Sequence, residues 1–238
     1  MTVDLLAIAA HRDDVELTCA GTLIKAAKQG RTTAVIDLTA GEMGTKGDAK
    51  SRAAEAERAA QIMKLSARDN LGLPDAAVVN DPPTRILVAR AIRKFKPRVV
   101  IAPARQGRHP DHRVTSELVR DACFIAGLGK VAPDAPKHRP LKVLHCISYR
   151  QDFEKPTFVV DISDEFEQKL DAIKCFGSQF DGATQAGEVH PTGEPLYDAI
   201  RHYAAYYGAM IRTRFGEPFY TTETMRVDDV VALEVSTF

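Results

Sequence analysis

Three apolar runs separated by helix-length segments constrain this chain most: DLLAIAA at 4–10, TAVIDLT at 33–39 and RVVIAP at 98–103. Runs with little polar alternation belong to strands buried on both faces, and strands joined through helices form right-handed βαβ crossovers in a parallel sheet. Between the runs, Val15, Leu17, Leu23, Ile24 and Ala27 recur at helical spacing until Gly30 stops the helix. An alanine-rich helix over 49–65 places Ala53, Ala56, Ala60 and Met63 on one face. Asp81 followed by two prolines predicts the N-cap of a further helix that runs to Phe95 and carries Ile86, Leu87 and Ile92. The expected class is α/β: a Rossmann-like three-layer sandwich with a mostly parallel sheet and extra C-terminal strands and helices.

Those extra elements begin after residue 126. A proline-rich stretch from Val131 to Pro140 precedes strands near 142–149 and 157–162 and a helix over 164–176. A glycine-rich loop from Ser178 to Pro195 leads to a helix over 196–213, with Ile200, Tyr203, Tyr207 and Met210 on one side. The tail VVALEV reads as a final strand. With no internal repeat and no low-complexity linker, residues 1–238 are read as one domain.

Composition narrows the function classes. Thirty-two basic and 32 acidic residues cancel, so the general attraction on which nucleic-acid binding relies is missing. MTVDLLAIAAHRDD lacks a basic n-region and a signal-length apolar core, and no apolar run approaches 18 residues, which predicts a cytoplasmic protein without a membrane span. Cys19, Cys123, Cys146 and Cys175 form no C-x-x-C pair and read as reduced, buried thiols.

In such a sheet, ligands bind beyond the carboxyl ends of the strands. Three segments should converge there: His11-Arg12-Asp13-Asp14, Gly41–Asp48 and Arg105–His112. A dinucleotide site would place G-x-G-x-x-G after the first strand, whereas this chain places two carboxylates that would repel a pyrophosphate. GEMGTKGD is not a P-loop, and G-x-S-x-G is absent. Metal ligands remain: His11 and Asp14 from one turn, and two imidazoles flanking a carboxylate in His109-Pro110-Asp111-His112. Two histidines and a carboxylate, with one position left to water, are the usual arrangement of a catalytic zinc site. Read singly, either acid of the first motif is equally a helix cap and HPDH a solvated turn.

The chain resembles the PIG-L/LmbE-type zinc-dependent N-acetylglucosamine deacetylases, and most of all the branch acting on N-acetylglucosaminyl malate in bacillithiol biosynthesis. The likeness is carried by AHRDDVELTCAGTL, LTAGEMGTKGD, R-x-x-E at Arg52–Glu55, RHPDH at Arg108–His112, FVVDIS at 158–163, SQF at 178–180 and GEPF at 216–219. It implies one Zn2+ per chain held by His11, Asp14 and His112, and Asp13 as general base. It further implies that His109 stabilises the oxyanion or protonates the leaving amine, oriented by Asp111. A small amino-sugar substrate and a homo-oligomer, a hexamer among the family's forms, follow from the same likeness. Arg12 stands where the family has proline and is read as solvated rather than as a contact to an anionic substrate.

Arg52, in the first turn of its helix, is expected to meet a carboxylate of the substrate, against the alternative of a surface pair with Glu55; Arg108 is a second candidate contact. Tyr197 is a third candidate substrate contact; it lies beside the glycine-rich loop that holds His190, itself a candidate lid or subunit contact. His145 reads as a packing residue, His138 and His202 as surface histidines, and the Tyr203, Tyr207, Met210 stripe as core. A deacetylase of another glycoside, such as a mycothiol precursor, a chito-oligosaccharide or an antibiotic intermediate, is the nearest competing reading. A non-catalytic metal- or sugar-binding homologue is the other, although metal binding alone has no use for Asp13, His109 and Asp111.

Overall fold

Leu6 and Ile8 of β1 (Leu5–Ala9) face one side of the sheet and Ala7 and Ala9 the other, and all four are buried, which accounts for the unbroken apolar run. The computed structural model describes residues 1–148, 155–183 and 193–235. After β1 come α1 (Asp14–Thr18), α2 (Ala20–Lys28), β2 (Thr33–Thr39), α3 (Ala49–Ile62), β3 (Ala67–Leu73), α4 (Pro82–Phe95), β4 (Val99–Pro103) and α5 (Pro110–Ala126). The remainder holds β5 (Lys142–Cys146), β6 (Phe158–Asp161), α6 (Phe166–Lys174), α7 (Gly177–Phe180), α8 (Leu196–Met210) and β7 (Gly216–Tyr220).

The seven strands form one sheet in the order β3-β2-β1-β4-β5-β7-β6. The first five run parallel, with Leu6 opposite Ala34 and Val100, and β7 lies antiparallel between β5 and β6. Residues of α2, α3 and α6 pack on Ala7, Ala9, Val35 and Ile101, while α4 and α5 cover Leu6, Ile8, Ile36 and Val100 from the opposite face. The α/β three-layer expectation therefore holds. Strand order reverses between β1 and β4, which leaves a crevice at their carboxyl ends.

Several local expectations change. The first helix is two, interrupted at Cys19, whose backbone lies at φ −138° and ψ 15°. ARDNLGL forms β3, an edge strand that its polar residues hide from an apolar-run reading. Val230 and Val231 in the tail are exposed at 77% and 90%, and VVALEV forms no strand; the last strand is instead GEPFY, buried throughout. Helices expected over 49–65, 164–176 and 196–213 end earlier, at Ile62, Lys174 and Met210. In α4 the core face is Val88, Ala89 and Ile92, with Leu87 outside, whereas its expected Asp81 cap accepts a hydrogen bond from Thr84 N at 2.9 Å. Met210 is exposed, so only part of the expected stripe on α8 is core, and His190 lies outside the described residues. No helix among the described residues is long and apolar enough to cross a membrane.

Glu217 explains why an acidic residue occupies a buried strand. Its carboxylate accepts hydrogen bonds from Gly21 N (2.8 Å) and Thr22 N (2.7 Å) at the start of α2 and pairs with buried Lys169 Nζ at 2.6 Å. The free N–H groups of a helix start and a cation together satisfy a charge that burial alone would penalise. All four cysteines are free thiols; three are buried and Cys175 half-buried.

Candidate active site

Both candidate motifs sit at the crevice. His11 follows β1, and Asp14 opens α1 and turns its Oδ2 back to accept His11 N at 2.8 Å. Asp13 occupies the N-cap position of α1 but makes no side-chain cap hydrogen bond, so the helix does not consume it. After β4, His109 is the N-cap of α5, Pro110 stands at its first position, and His112 follows within the first turn.

The donor atoms converge. His11 Nδ1 lies 3.2 Å from His112 Nε2 and 3.3 Å from Asp14 Oδ2, and His112 Nε2 lies 3.0 Å from Asp14 Oδ1. Ligand atoms bound at about 2.0–2.1 Å to one tetrahedral ion stand about 3.3 Å apart, so this triplet fits a zinc-sized cation. Burial would push the Asp14 carboxyl up, but the imidazoles of His112 and His11 hold it well below the usual carboxylate range. His109 also belongs to a cluster able to grip an ion with His11 and His112; its ring centroid is 4.7 Å from that of His11 and 5.0 Å from that of His112. Its Nδ1, however, accepts Asp111 N at 3.2 Å. A neutral His109 therefore carries its proton on Nε2, and burial followed by the two neighbouring imidazoles holds its pKa below the usual value.

Asp111 meets His109 through its backbone N–H, which donates to Nδ1. The carboxylate instead accepts Ala76 N at 2.8 Å and lies 3.5 Å from His11 Nε2. Asp13 is buried, with its Oδ2 3.0 Å from Arg52 Nη2. Arg52 also donates from Nη1 to Gly41 O at 2.8 Å, and its Nε has no hydrogen-bond partner. Gly41 has φ +71°, and a Cβ there would strike the guanidinium, so the glycine admits Arg52 to the site. The surface pair with Glu55 does not form. Glu55 instead accepts Ser178 N at 2.8 Å and Ser178 Oγ at 2.7 Å, joining two of the segments that carry the family likeness.

Arg12, read as solvated, is half-buried: its Nη1 donates to Ala49 O at 2.6 Å and ties the turn after His11 to the start of α3. Its carbonyl accepts a hydrogen bond from Arg68, whose guanidinium is buried between Glu16 (2.6 Å) and Asp37 (2.8 Å). His145 is buried, with Nδ1 2.9 Å from Pro103 O and its ring stacked on Tyr220. His138 is half-buried, 2.7 Å from Pro97 O, while His202 is exposed beside Glu194.

Two cavities meet at the donor triplet and share Asp14, Leu17, Arg108, His109 and His112. One, of about 300 Å³, is polar and is lined by Met43, Lys46, Arg52, Asp75 and Gln179 besides. The other, of about 90 Å³, reaches towards Cys19, Ile101 and Cys146. Arg108 thus lies at the site as expected, whereas Tyr197, in the first turn of α8, lines neither cavity and packs against the core. Asp75 escaped the sequence reading because β3 did: its loop is the fourth to reach this edge, and recognising the strand would have pointed to it.

Fold and site define a class: a Rossmann-like α/β protein with a two-histidine, one-carboxylate donor group that could hold a metal ion at its topological switch point. The PIG-L family model, described as GlcNAc-PI de-N-acetylase, matches residues 6–123. The diacetylchitobiose deacetylase of Thermococcus kodakarensis is 30% identical over 225 residues, which is 90% of this chain and 80% of that one. The chain belongs to the PIG-L family. Among solved structures, the conserved protein TT1542 from Thermus thermophilus is 35% identical with a TM-score of 0.85, over 95% of this chain and 98% of its own. GalB, the 4-carboxy-2-hydroxymuconate hydratase of Pseudomonas putida, shares the fold at a TM-score of 0.80 and 20% identity, over 95% and 99% of the two chains.

Proposed function

We propose that this protein is a zinc-dependent hydrolase, with one ion per chain, that removes the acetyl group from an N-acetylglucosaminyl conjugate. The observation that carries the reading is the donor triplet of His11, Asp14 and His112, with Asp13 held by Arg52 and His109 Nδ1 engaged by Asp111 N beside it. The family and the deacetylase relative supply the substrate class. A divalent ion held by the triplet would lower the pKa of water and polarise the amide carbonyl. Asp13, fixed by Arg52, accepts the proton of the attacking water at its carboxylate. His109 presents Nε2–H to the charge developing on the carbonyl oxygen and keeps that proton, while the proton that Asp13 took from water passes to the departing amine. A hydratase shares this fold, so the reading rests on these side chains and not on the scaffold.

For the aglycone we propose L-malate, which makes the substrate N-acetyl-α-D-glucosaminyl L-malate and the pathway bacillithiol biosynthesis. Lys46, Arg52 and Arg108 line the polar cavity and favour a carboxylate-bearing substrate. The second reading, a neutral chito-oligosaccharide, is favoured by the similarity to the diacetylchitobiose deacetylase. Acetate release from N-acetylglucosaminyl malate, N-acetylglucosamine and diacetylchitobiose decides between them. Preference for the first supports malate, preference for the last overturns it, and no release from any by zinc-loaded protein overturns the deacetylase reading.

Because Arg52 holds Asp13, Arg52→Ala is expected to lower kcat/KM on every N-acetyl substrate. On the malate glycoside a further loss of about 2 kcal/mol, roughly 30-fold, is expected from the missing charge-assisted bond. Equal losses on the malate glycoside and on N-acetylglucosamine would assign Arg52 to Asp13 alone. The proposal extends to a homo-oligomer, on family likeness.

A further inference from the structure

His11 has polar neighbours at both ring nitrogens. Nδ1 faces Asp14 and His112, while Nε2 points the other way, 3.0 Å from Asp75 Oδ1 and 3.5 Å from Asp111 Oδ2. Only the first of these carboxylate distances is within the range of an N–H···O hydrogen bond. The Asp75 side chain is 7% exposed and is fixed from three directions. Its Oδ2 accepts Met43 N (2.9 Å), its Oδ1 accepts Ala76 N (2.8 Å), and its own N–H donates to Glu42 Oε1 (2.8 Å). Ala76 adopts φ +61°, a left-handed conformation unusual for a residue with a Cβ. That conformation accompanies a shared N–H, given to both Asp75 Oδ1 and Asp111 Oδ2, so the two carboxylates behind His11 are held together by one strained peptide.

We propose that Asp75 is the positioning residue of His11: it accepts the Nε2 proton, fixes the tautomer and ring plane, and leaves the Nδ1 lone pair directed at the ion. An imidazole that ligates through one nitrogen needs its proton on the other, and a carboxylate acceptor there both selects that state and raises ligand basicity. Asp111 stands behind this pair through Ala76. Met43 belongs to the loop that lines the polar cavity, so the same carboxylate links the substrate-side loop to the metal ligand. The inference rests on the metal reading of His11, Asp14 and His112.

The test measures zinc affinity by competition with a chelator of known strength in wild type, Asp75→Ala, Asp75→Asn and His11→Ala. The absorption spectrum of the cobalt-loaded proteins and the Tm of the metal-free proteins are recorded alongside. Asp75→Ala is expected to weaken zinc binding about 10- to 100-fold and to alter the cobalt spectrum, with Asp75→Asn, which keeps the shape but is a weaker acceptor, in between. The metal-free Tm separates this effect from damage to the fold, and the isosteric Asn variant retains the test if the Ala variant is poorly folded. Zinc affinity within about twofold of wild type and an unchanged cobalt spectrum in both variants would overturn the proposal. Retention of zinc by His11→Ala would instead overturn the metal reading itself.

Discussion

Asp13→Asn is expected to keep its zinc and lose roughly 10²- to 10⁴-fold in kcat, the usual contribution of a positioned general base. Asp14→Ala, one residue on, is expected to lose the metal. The two acids are adjacent in sequence but face different partners: Asp14 contacts both imidazoles at 3.0–3.3 Å, whereas Asp13 is held by Arg52 at 3.0 Å and makes no cap. Asparagine preserves the size of Asp13 and an acceptor for Arg52 but cannot take a proton from water. Elemental analysis and initial rates on the same preparations check this. Metal loss from both variants would show that the carboxylates act as one ligand pair, and His11→Ala combined with His112→Ala should bind no zinc if the triplet is the site. Chelation of the wild-type protein is expected to abolish turnover reversibly.

Arg68→Met is expected to destabilise the protein by about 3–5 kcal/mol, because it leaves two buried carboxylates facing each other without their cation. For a chain of this size that corresponds to a fall of roughly 6–20 °C in Tm. Glu16 and Asp37 both bond the Arg68 guanidinium, which also serves the carbonyls of Arg12 and Ala56, so the loss should loosen the metal-ligand turn as well. One cation cannot fully compensate two buried acids. Burial, opposed by Arg68 and reinforced by Asp37, pushes the Glu16 carboxyl from 4.5 up to about 7, and Oε2 of Glu16 has no partner. A pKa raised by folding means that folding favours the neutral acid. The contribution of Glu16 is therefore fully present below about 4.5 and is lost as pH rises through about 7. Glu16→Gln, neutral at every pH, should flatten that part of the Tm profile and cost far less than Arg68→Met at pH 7. A Glu16→Gln loss equal to that of Arg68→Met would show that the charged pair, rather than the neutral acid, is the stable form.

The apolar runs at 4–10, 33–39 and 98–103 determined by themselves that the chain would build a parallel sheet, because only strands covered on both faces can bury so continuous a set of side chains. They also determined that HRDD and RHPDH would meet, since loops leaving the same ends of neighbouring parallel strands share one edge. Local sequence set the caps as well: Asp81 before its two prolines holds α4 as expected. Contacts between distant segments could not be read this way. ARDNLGL is a strand because β2 offers it an edge, and Arg68 and Asp69 on it answer partners elsewhere in the fold, Asp37 and Lys94. GEPFY displaced the more apolar VVALEV as the last strand because strand formation depends on the pairing and packing available in the tertiary fold. Asp75 behind His11, Arg52 on Asp13 and Asp111 on Ala76 depend on the approach of segments 35 to 64 residues apart. Periodicity reports which face of an element is buried; which polar groups meet across the crevice is set by the placement of whole loops, and only the tertiary structure contains that.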